Sequence, residues 1–235
     1  MFYNVVVNDG GTTTYIPTTP GKVLLMVLLA LLLAGAVTFA RRYAARQNPQ
    51  PGETARKGGK LTAKQLVFCA MSIALGTILS EIKIIDFPWG GSATLLSMLV
   101  ICLPGYLFGL GAGLMTSLAY GVLQLLINPY VLFPMQLVLD YVLAFGALGL
   151  SGLFAGAKKG LLKGYLVGIF GRYVFTVLSG WIFFAEYAWE GWPVLPYSLV
   201  YNGIYIFAEG AITCAVLLVP AVSNGLATVK KMALS

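Results

Sequence analysis

The sequence contains no histidine, only 10% charged residues and three cysteines among 235 residues. Without histidine, a histidine-ligated metal centre and a Ser-His or Cys-His nucleophile–base pair are excluded. Cys69, Cys102 and Cys214 stand singly inside apolar runs with no CxxC spacing, so they read as small buried hydrophobes. A glycine-rich phosphate loop of the Walker type is also missing, and any ATP-driven step falls to a separate subunit. No internal repeat is evident, which removes the sequence signature of an inverted-repeat carrier. No cofactor and no metal is expected, and the residues do not add up to an enzyme: neither catalytically spaced paired acids nor an activated nucleophile is present.

What the chain has instead is apolar length. Apolar residues make up 59% of it, and its mean hydropathy is +0.86. A soluble domain carries roughly 25% charge, so most of this surface faces something other than water. A membrane span needs about 20 mainly apolar residues, which gives room for six or seven. The expected class is an all-α membrane protein with a six-helix core preceded by one extra N-terminal transmembrane helix. A polar, turn-rich segment over 1–21 precedes that helix at 22–40. A basic Pro/Gly-rich linker follows over 41–60, then the six-helix domain over 61–222 and a tail over 223–235. The core segments are expected near 62–80, 93–109, 110–127, 134–157, 164–185 and 197–220. Pro104-Gly105 is expected to break the second of them.

The net charge of +7 is distributed as a membrane protein distributes it, not as a nucleic-acid binder does. With the linker in the cytoplasm, that side collects Arg41, Arg42, Arg46, Arg56, Lys57, Lys60, Lys64, Lys158, Lys159, Lys163, Lys230 and Lys231. The outer side receives Lys22 and Lys83 with Asp9, Glu81, Asp86, Glu186 and Glu190. This asymmetry predicts a multi-pass cell-membrane protein with its N-terminus outside and its C-terminus in the cytoplasm. The basic linker lies where it would rest on anionic lipid.

Ionisable groups inside spans are costly and mark function by default. Three stand out here: Asp140, Arg172 and Glu209. Asp140 lies about two turns below the outer end of its helix, where a partly desolvated carboxylate attracts a cation or several N–H donors. Arg172 is placed to reach back toward the cytoplasmic face, and Glu209 to serve a structural pair or an interface. The outer ends are rich in aromatics: Trp89, Tyr130, Phe133, Tyr141, Trp181, Phe184, Tyr187, Trp189, Trp192 and Tyr197. An interfacial belt needs no acid among its rings, whereas a pocket for a flat cation needs both. Asn202, five residues beyond Tyr197, carries an amide able to donate and accept at a heterocycle edge. On the first core helix, Ala70 and Ala74 with Ser72 and Gly76 allow close approach of another helix, in this chain or a partner.

Two blocks make a family resemblance. The stretch Gln136-Leu-Val-Leu-Asp140-Tyr141-Val-Leu-Ala-Phe145, with Gly149-Leu-Ser-Gly-Leu-Phe154 after it, resembles the fourth helix of thiamine-specific substrate-binding subunits (S components) of energy-coupling factor transporters. Tyr187-Ala-Trp-Glu-Gly-Trp192, then Tyr197-Ser-Leu-Val-Tyr-Asn202-Gly203, is similar to the fifth loop and sixth helix of the same family. The resemblance covers residues 62–220 and implies a six-helix subunit that binds its vitamin from outside. It also implies docking on a transmembrane coupling subunit with two ATPase subunits, through Ala70 and Ala74. The implied substrate-binding residues are Asp140, Tyr141, Tyr130, Thr176, Gly180, Phe184, Tyr197, Asn202 and Trp89. Three depart from the family pattern: Asp140 stands for glutamate, Thr176 for histidine and Phe184 for tryptophan. Thiamine, a precursor or a related heterocycle is the implied ligand. The alternative is a stand-alone ion-coupled carrier for a small cationic or heterocyclic solute, with Asp140 or Glu209 as its proton site.

Overall fold

The computed structural model describes residues 3–7, 13–18, 20, 23, 27, 61–87 and 91–235. The expected helix over 22–40 (Val23 and Val27 apart) and the linker over 41–60 lie outside the described residues, as do Asp9 and Trp89. Near the N-terminus, β1 (Tyr3–Val7) pairs antiparallel with β2 (Thr13–Pro17). The remainder is helical apart from a short hairpin of β3 (Lys83–Asp86) and β4 (Ser92–Thr94).

Helix α1 (Ala63–Ser80) starts at Thr62, whose hydroxyl accepts the Gln65 N–H while the Gln65 side chain accepts the Thr62 N–H. This reciprocal pair satisfies two of the donors a helix start leaves open. Helix α2 (Ser97–Phe108) and α3 (Leu110–Ile127) are joined by one residue, Gly109, at φ +89°. Such a φ favours glycine, and it permits so tight a reversal. Helix α4 covers 134–154 in four pieces: an α-turn Pro134–Leu137, a π-turn Val138–Leu143, an α-helical Ala144–Leu148 and a 3₁₀ stretch Gly149–Phe154. Then follow α5 (Gly160–Phe183), α6 (Val194–Leu218) and α7 (Pro220–Leu234). Residues 223–235, expected as a tail, therefore lie mostly in a helix.

Among the described residues, five helices are long and apolar enough to cross a membrane: α1, α3, α4, α5 and α6. Helix α2 is apolar but shorter, at 12 residues or about 18 Å at 1.5 Å per residue. That is well short of a hydrocarbon layer about 30 Å thick. Contrary to expectation, Pro104 does not break it; the helix runs through to Phe108. Proline removes one backbone donor, and nearby in the same helix Ser151 Oγ donates to Cys102 O at 2.9 Å, tying this stretch to the end of α4.

Helices in lipid gain little by hiding apolar surface from one another, so close backbone contact drives their packing. Here that contact is built on glycine. The 3₁₀ end of α4 is wedged between α3 and α5, with a Cβ on Gly149 falling 2.6 Å from the backbone of Leu114. A Cβ on Gly164 would fall 2.5 Å from the carbonyl oxygen of Ser151. Around this wedge sits the core of Ile101, Cys102, Leu148, Tyr165, Ile169 and Ile206.

At one end of the bundle, lysines close the helix termini. Lys230 Nζ donates to the carbonyls of Tyr106 and Ala155 and lies 4.1 Å from the Tyr106 ring centroid. Lys64 Nζ reaches Met232 O at 2.7 Å. Cationic donors at helix C-termini satisfy orphan carbonyls and oppose the dipole. The opposite end holds the hairpin, the 128–136 turn and the loop before α6.

The glycine wedge predicts the effect of one methyl group. A Cβ at Gly113 would lie 2.6 Å from Gly149 O and 2.8 Å from Gly105 Cα, both backbone. Gly113→Ala is expected to destabilise the bundle by about 1–3 kcal/mol, read as a lower melting temperature in detergent. An unchanged melting temperature would mean that the helices separate freely at this seam.

Candidate functional site

At the hairpin end, the helices enclose a cavity of about 290 Å³, near the lower bound of the roughly 300–1,000 Å³ of small-molecule sites. Eight residues singled out in the sequence line it together: Tyr130, Asp140, Tyr141, Thr176, Gly180, Phe184, Tyr197 and Asn202. They come from the 128–133 turn, α4, α5 and α6. Trp89 lies outside the described residues.

Asp140 sits in the π-turn of α4. A π-turn inserts one residue into the helical register, a local device that often re-aims a side chain at a functional site. One turn earlier, the wholly buried Gln136 holds this corner together. Its Oε1 accepts from the N–H of Leu132 at 2.8 Å and of Phe133 at 3.4 Å. Its Nε2 donates to Tyr130 O at 2.8 Å and to Asp140 Oδ2 at 3.1 Å. Gln136 was read only as part of a motif. The signal for its role was the i, i+4 spacing to Asp140, which puts both on one helix face.

The structure assigns Tyr141 differently from a simple pocket donor. Its hydroxyl accepts from Tyr130 N–H at 2.8 Å and donates to Asn128 O at 3.0 Å, pinning the turn. Only its ring is left for the cavity wall. Tyr130 in turn stacks on Phe184, centroids 6.0 Å apart and planes 12° from parallel. Its hydroxyl meets that of Tyr187 at 3.5 Å. This hydrogen bond, with desolvation, pushes the Tyr130 phenol up to about 12, so it remains protonated at neutral pH.

Asn202 is also committed. Its Nδ2 donates to Ser198 O at 2.9 Å and Ser198 Oγ at 3.2 Å, and its Oδ1 accepts from Tyr205 at 2.6 Å. Reading a heterocycle edge would require exchanging one of these bonds. Gly180 explains the closeness of α5 and α6 here: a Cβ would fall 3.2 Å from Asn202 Nδ2 and nearer still to Ser198 Oγ. Thr176 Oγ1 donates to Tyr173 O at 3.0 Å. Tyr197 belongs to a run of rings with Trp189 at 5.2 Å and Tyr201 at 5.4 Å.

Two further ionisable groups line the same cavity. Arg172, expected to reach away toward the other face, instead lies over Phe145 with Cζ 4.3 Å from the ring centroid. Its Nε is buried without a hydrogen-bond partner, and among the described residues it makes no ion pair within 4.0 Å. Glu209 is 2% exposed. Its Oε2 accepts from Thr94 N–H at 3.0 Å and Thr94 Oγ1 at 2.7 Å. Its Oε1 accepts from Met98 N–H at 2.9 Å; the Ser97 hydroxyl lies 3.3 Å from Oε1 and 2.6 Å from Thr94 Oγ1, and its one hydrogen serves either.

Ala70 and Ala74 are exposed on the outer face of α1, among the exposed Leu66, Val67, Met71, Leu75 and Ile78. Packing within this chain uses Cys69, Ser72 and Gly76 instead.

A family model described as "Thiamine transporter protein (Thia_YuaJ)" matches residues 66–228. "Thiamine transporter ThiT" of Bacillus subtilis is 34% identical over 170 residues, covering 66% of this chain and 88% of that relative. The protein of the same name from Lacticaseibacillus paracasei is 30% identical over 159 residues, covering 60% and 79%. A solved structure titled for ThiT from Listeria monocytogenes matches with a TM-score of 0.57 at 26% identity, covering 69% of this chain and 96% of that one.

The Gln136 corner yields a prediction that is independent of any ligand. Gln136→Leu keeps the volume but strands two backbone N–H groups, a carbonyl and the Asp140 carboxylate. The expected cost is about 2–4 kcal/mol, at roughly 1 kcal/mol per lost bond, seen as a fall in thermal stability in detergent. Wild-type melting would show that the 128–136 turn holds itself.

Proposed function

This chain belongs to the thiamine transporter family, and on that premise we propose that it is a membrane-embedded substrate-binding subunit that takes thiamine into the cavity beside Asp140. Two bacterial thiamine transporters are similar to most of its core, and the family match spans the six helices that build the cavity.

The observation that carries the reading is the charge of the cavity wall. As ionised groups, Asp140, Glu209 and Arg172 leave one net negative charge at membrane depth. Glu209 is wrapped by the Thr94 and Met98 N–H groups and the Thr94 hydroxyl, and Arg172 lies over the Phe145 ring. Asp140, held by the neutral Gln136 amide, is the acid left with room for a cation. A ligand with a single positive charge and flat rings neutralises it while stacking against Tyr130, Phe184 and Tyr197. A thiamine precursor or another cationic heterocycle meets the same description.

In this reading the chain is not itself an enzyme. ATP hydrolysis belongs to two partner subunits joined through a transmembrane coupling subunit, which docks on the face carrying Ala70 and Ala74. The hairpin end faces the exterior and the lysine end the cytoplasm, following the charge asymmetry. The alternative of proton coupling at Glu209 has little geometric support, because two backbone N–H groups and the Thr94 hydroxyl already donate to that carboxylate.

Asp140→Asn keeps the shape and removes the charge. Its affinity for thiamine, titrated on the purified chain in detergent, is expected to fall at least about tenfold, the equivalent of 1.4 kcal/mol. Unchanged affinity would remove Asp140 from the site. Ala70→Leu and Ala74→Leu are expected to retain thiamine binding yet lose copurification with the coupling subunit; normal complex assembly would move the interface elsewhere.

A further inference from the structure

Glu209 lines the cavity yet is only 2% exposed, and its partners say why. Helix α2 begins at Ser97, and its N-cap residue Leu96 sits in the left-handed region at φ +60° with no side chain to cap the helix. The start of α2 is buried: Ser97, Met98, Leu99 and Val100 are all inside the protein. Helix N-termini leave up to four N–H groups open, and at membrane depth water cannot supply acceptors. Glu209 reaches across from the middle of α6 and supplies an acceptor for one of them, the Met98 N–H. Its other oxygen takes the N–H and hydroxyl of Thr94, and the Ser97 hydroxyl closes the cluster against Thr94 Oγ1 at 2.6 Å or Glu209 Oε1 at 3.3 Å. A carboxylate at a helix N-terminus also meets the positive end of the dipole.

The same carboxylate therefore ties the end of the hairpin to the helix that bears Tyr197, Asn202 and Tyr205. The hairpin touches that helix again further up. A Cβ on Gly91 would lie 2.6 Å from the Tyr205 ring, and Phe87 packs on Tyr201 with centroids 5.4 Å apart. Tyr205 holds Asn202 through its hydroxyl, so the register of the hairpin reaches the ring and amide wall of the cavity.

We infer that Glu209 is a positioning residue of the binding site: through its hydrogen bonds to residues 94–98 it sets where the hairpin wall stands against the Tyr201–Tyr205 face. The inference rests on the cavity being the thiamine site, but the anchor itself is readable without ligand. In Glu209→Gln one oxygen becomes an amide NH2 that confronts a backbone N–H, of Thr94 or of Met98, so that bond is lost with the volume kept, while the facing hydroxyl can turn to accept.

The test uses the full chain in detergent. In ligand-free Glu209→Gln, amide exchange over 92–98 is expected to rise about tenfold or more while α3 keeps its protection. Thiamine affinity is expected to weaken about tenfold, carried by faster dissociation. Thr94→Val, which removes one anchor bond from the hairpin side, should shift both readouts in the same direction. The double variant should bind no worse than Glu209→Gln alone, since both changes act on one anchor. Unchanged exchange over 92–98, unchanged thiamine affinity despite faster exchange, or additive losses in the double variant would each overturn the proposal. Should Glu209→Gln fail to fold, Thr94→Val decides by the same exchange and dissociation readouts. Failure of wild-type protein to bind thiamine would instead count against the proposed function, with the exchange arm still reporting on the anchor.

Discussion

The fold turns on a helix that is too short. At 12 residues, α2 cannot cross the hydrocarbon layer, and so one of its ends opens inside the protein at membrane depth. Bilayer physics allows such an end only where donors are satisfied by protein or where the backbone lines a cavity. This chain does both. The carboxylate of Glu209 closes the helix start, and the space above it is filled by the 83–94 hairpin, one side of which becomes a cavity wall. An ordinary six-span bundle would have had no such opening.

Around that opening the cavity is assembled from side chains that mostly hold one another. Gln136, Tyr141 and Asn202 spend their hydrogen bonds on neighbouring backbone and side chains. Fewer groups are left with spare capacity: the Asp140 carboxylate and the buried Arg172 Nε, which has no hydrogen-bond partner among the described residues. A wall made this way is preorganised, because its rotamers are set before a ligand arrives. The π-turn serves the same end. It tucks the acid against Gln136 and places it among rings contributed by three other segments.

The three positions that the family resemblance marks as departures, Asp140, Thr176 and Phe184, all line the cavity, and their surroundings keep it intact. Phe184 keeps a stacking partner in Tyr130. Thr176 turns its hydroxyl onto the carbonyl of Tyr173 and adds no buried unpaired group. The shorter acid is backed by the Gln136 amide. Each change is absorbed locally, and the aromatic and acidic character of the wall is kept.

Much of this was legible in the residues themselves. Scarce charge and long apolar runs determine a membrane bundle, because no other environment accepts that surface. The segments expected at 62–80, 110–127 and 197–220 fall within a few residues of Ala63–Ser80, Leu110–Ile127 and Val194–Leu218, since helix ends are local matters of φ and missing donors. The cavity acid was visible too, because an unpaired carboxylate in an apolar run is costly wherever it lies. What tertiary structure alone decided is which polar groups meet across the chain. Glu209 and Thr94 are 115 positions apart, and nothing periodic links them. Arg172 was expected to extend toward the near face, yet it folds over Phe145, a choice made by ring placement in another helix. Asn202 looked free to read a ligand until Tyr205 and Ser198 were found on it. Helical periodicity tells which face a residue occupies; only the packed bundle tells what stands opposite.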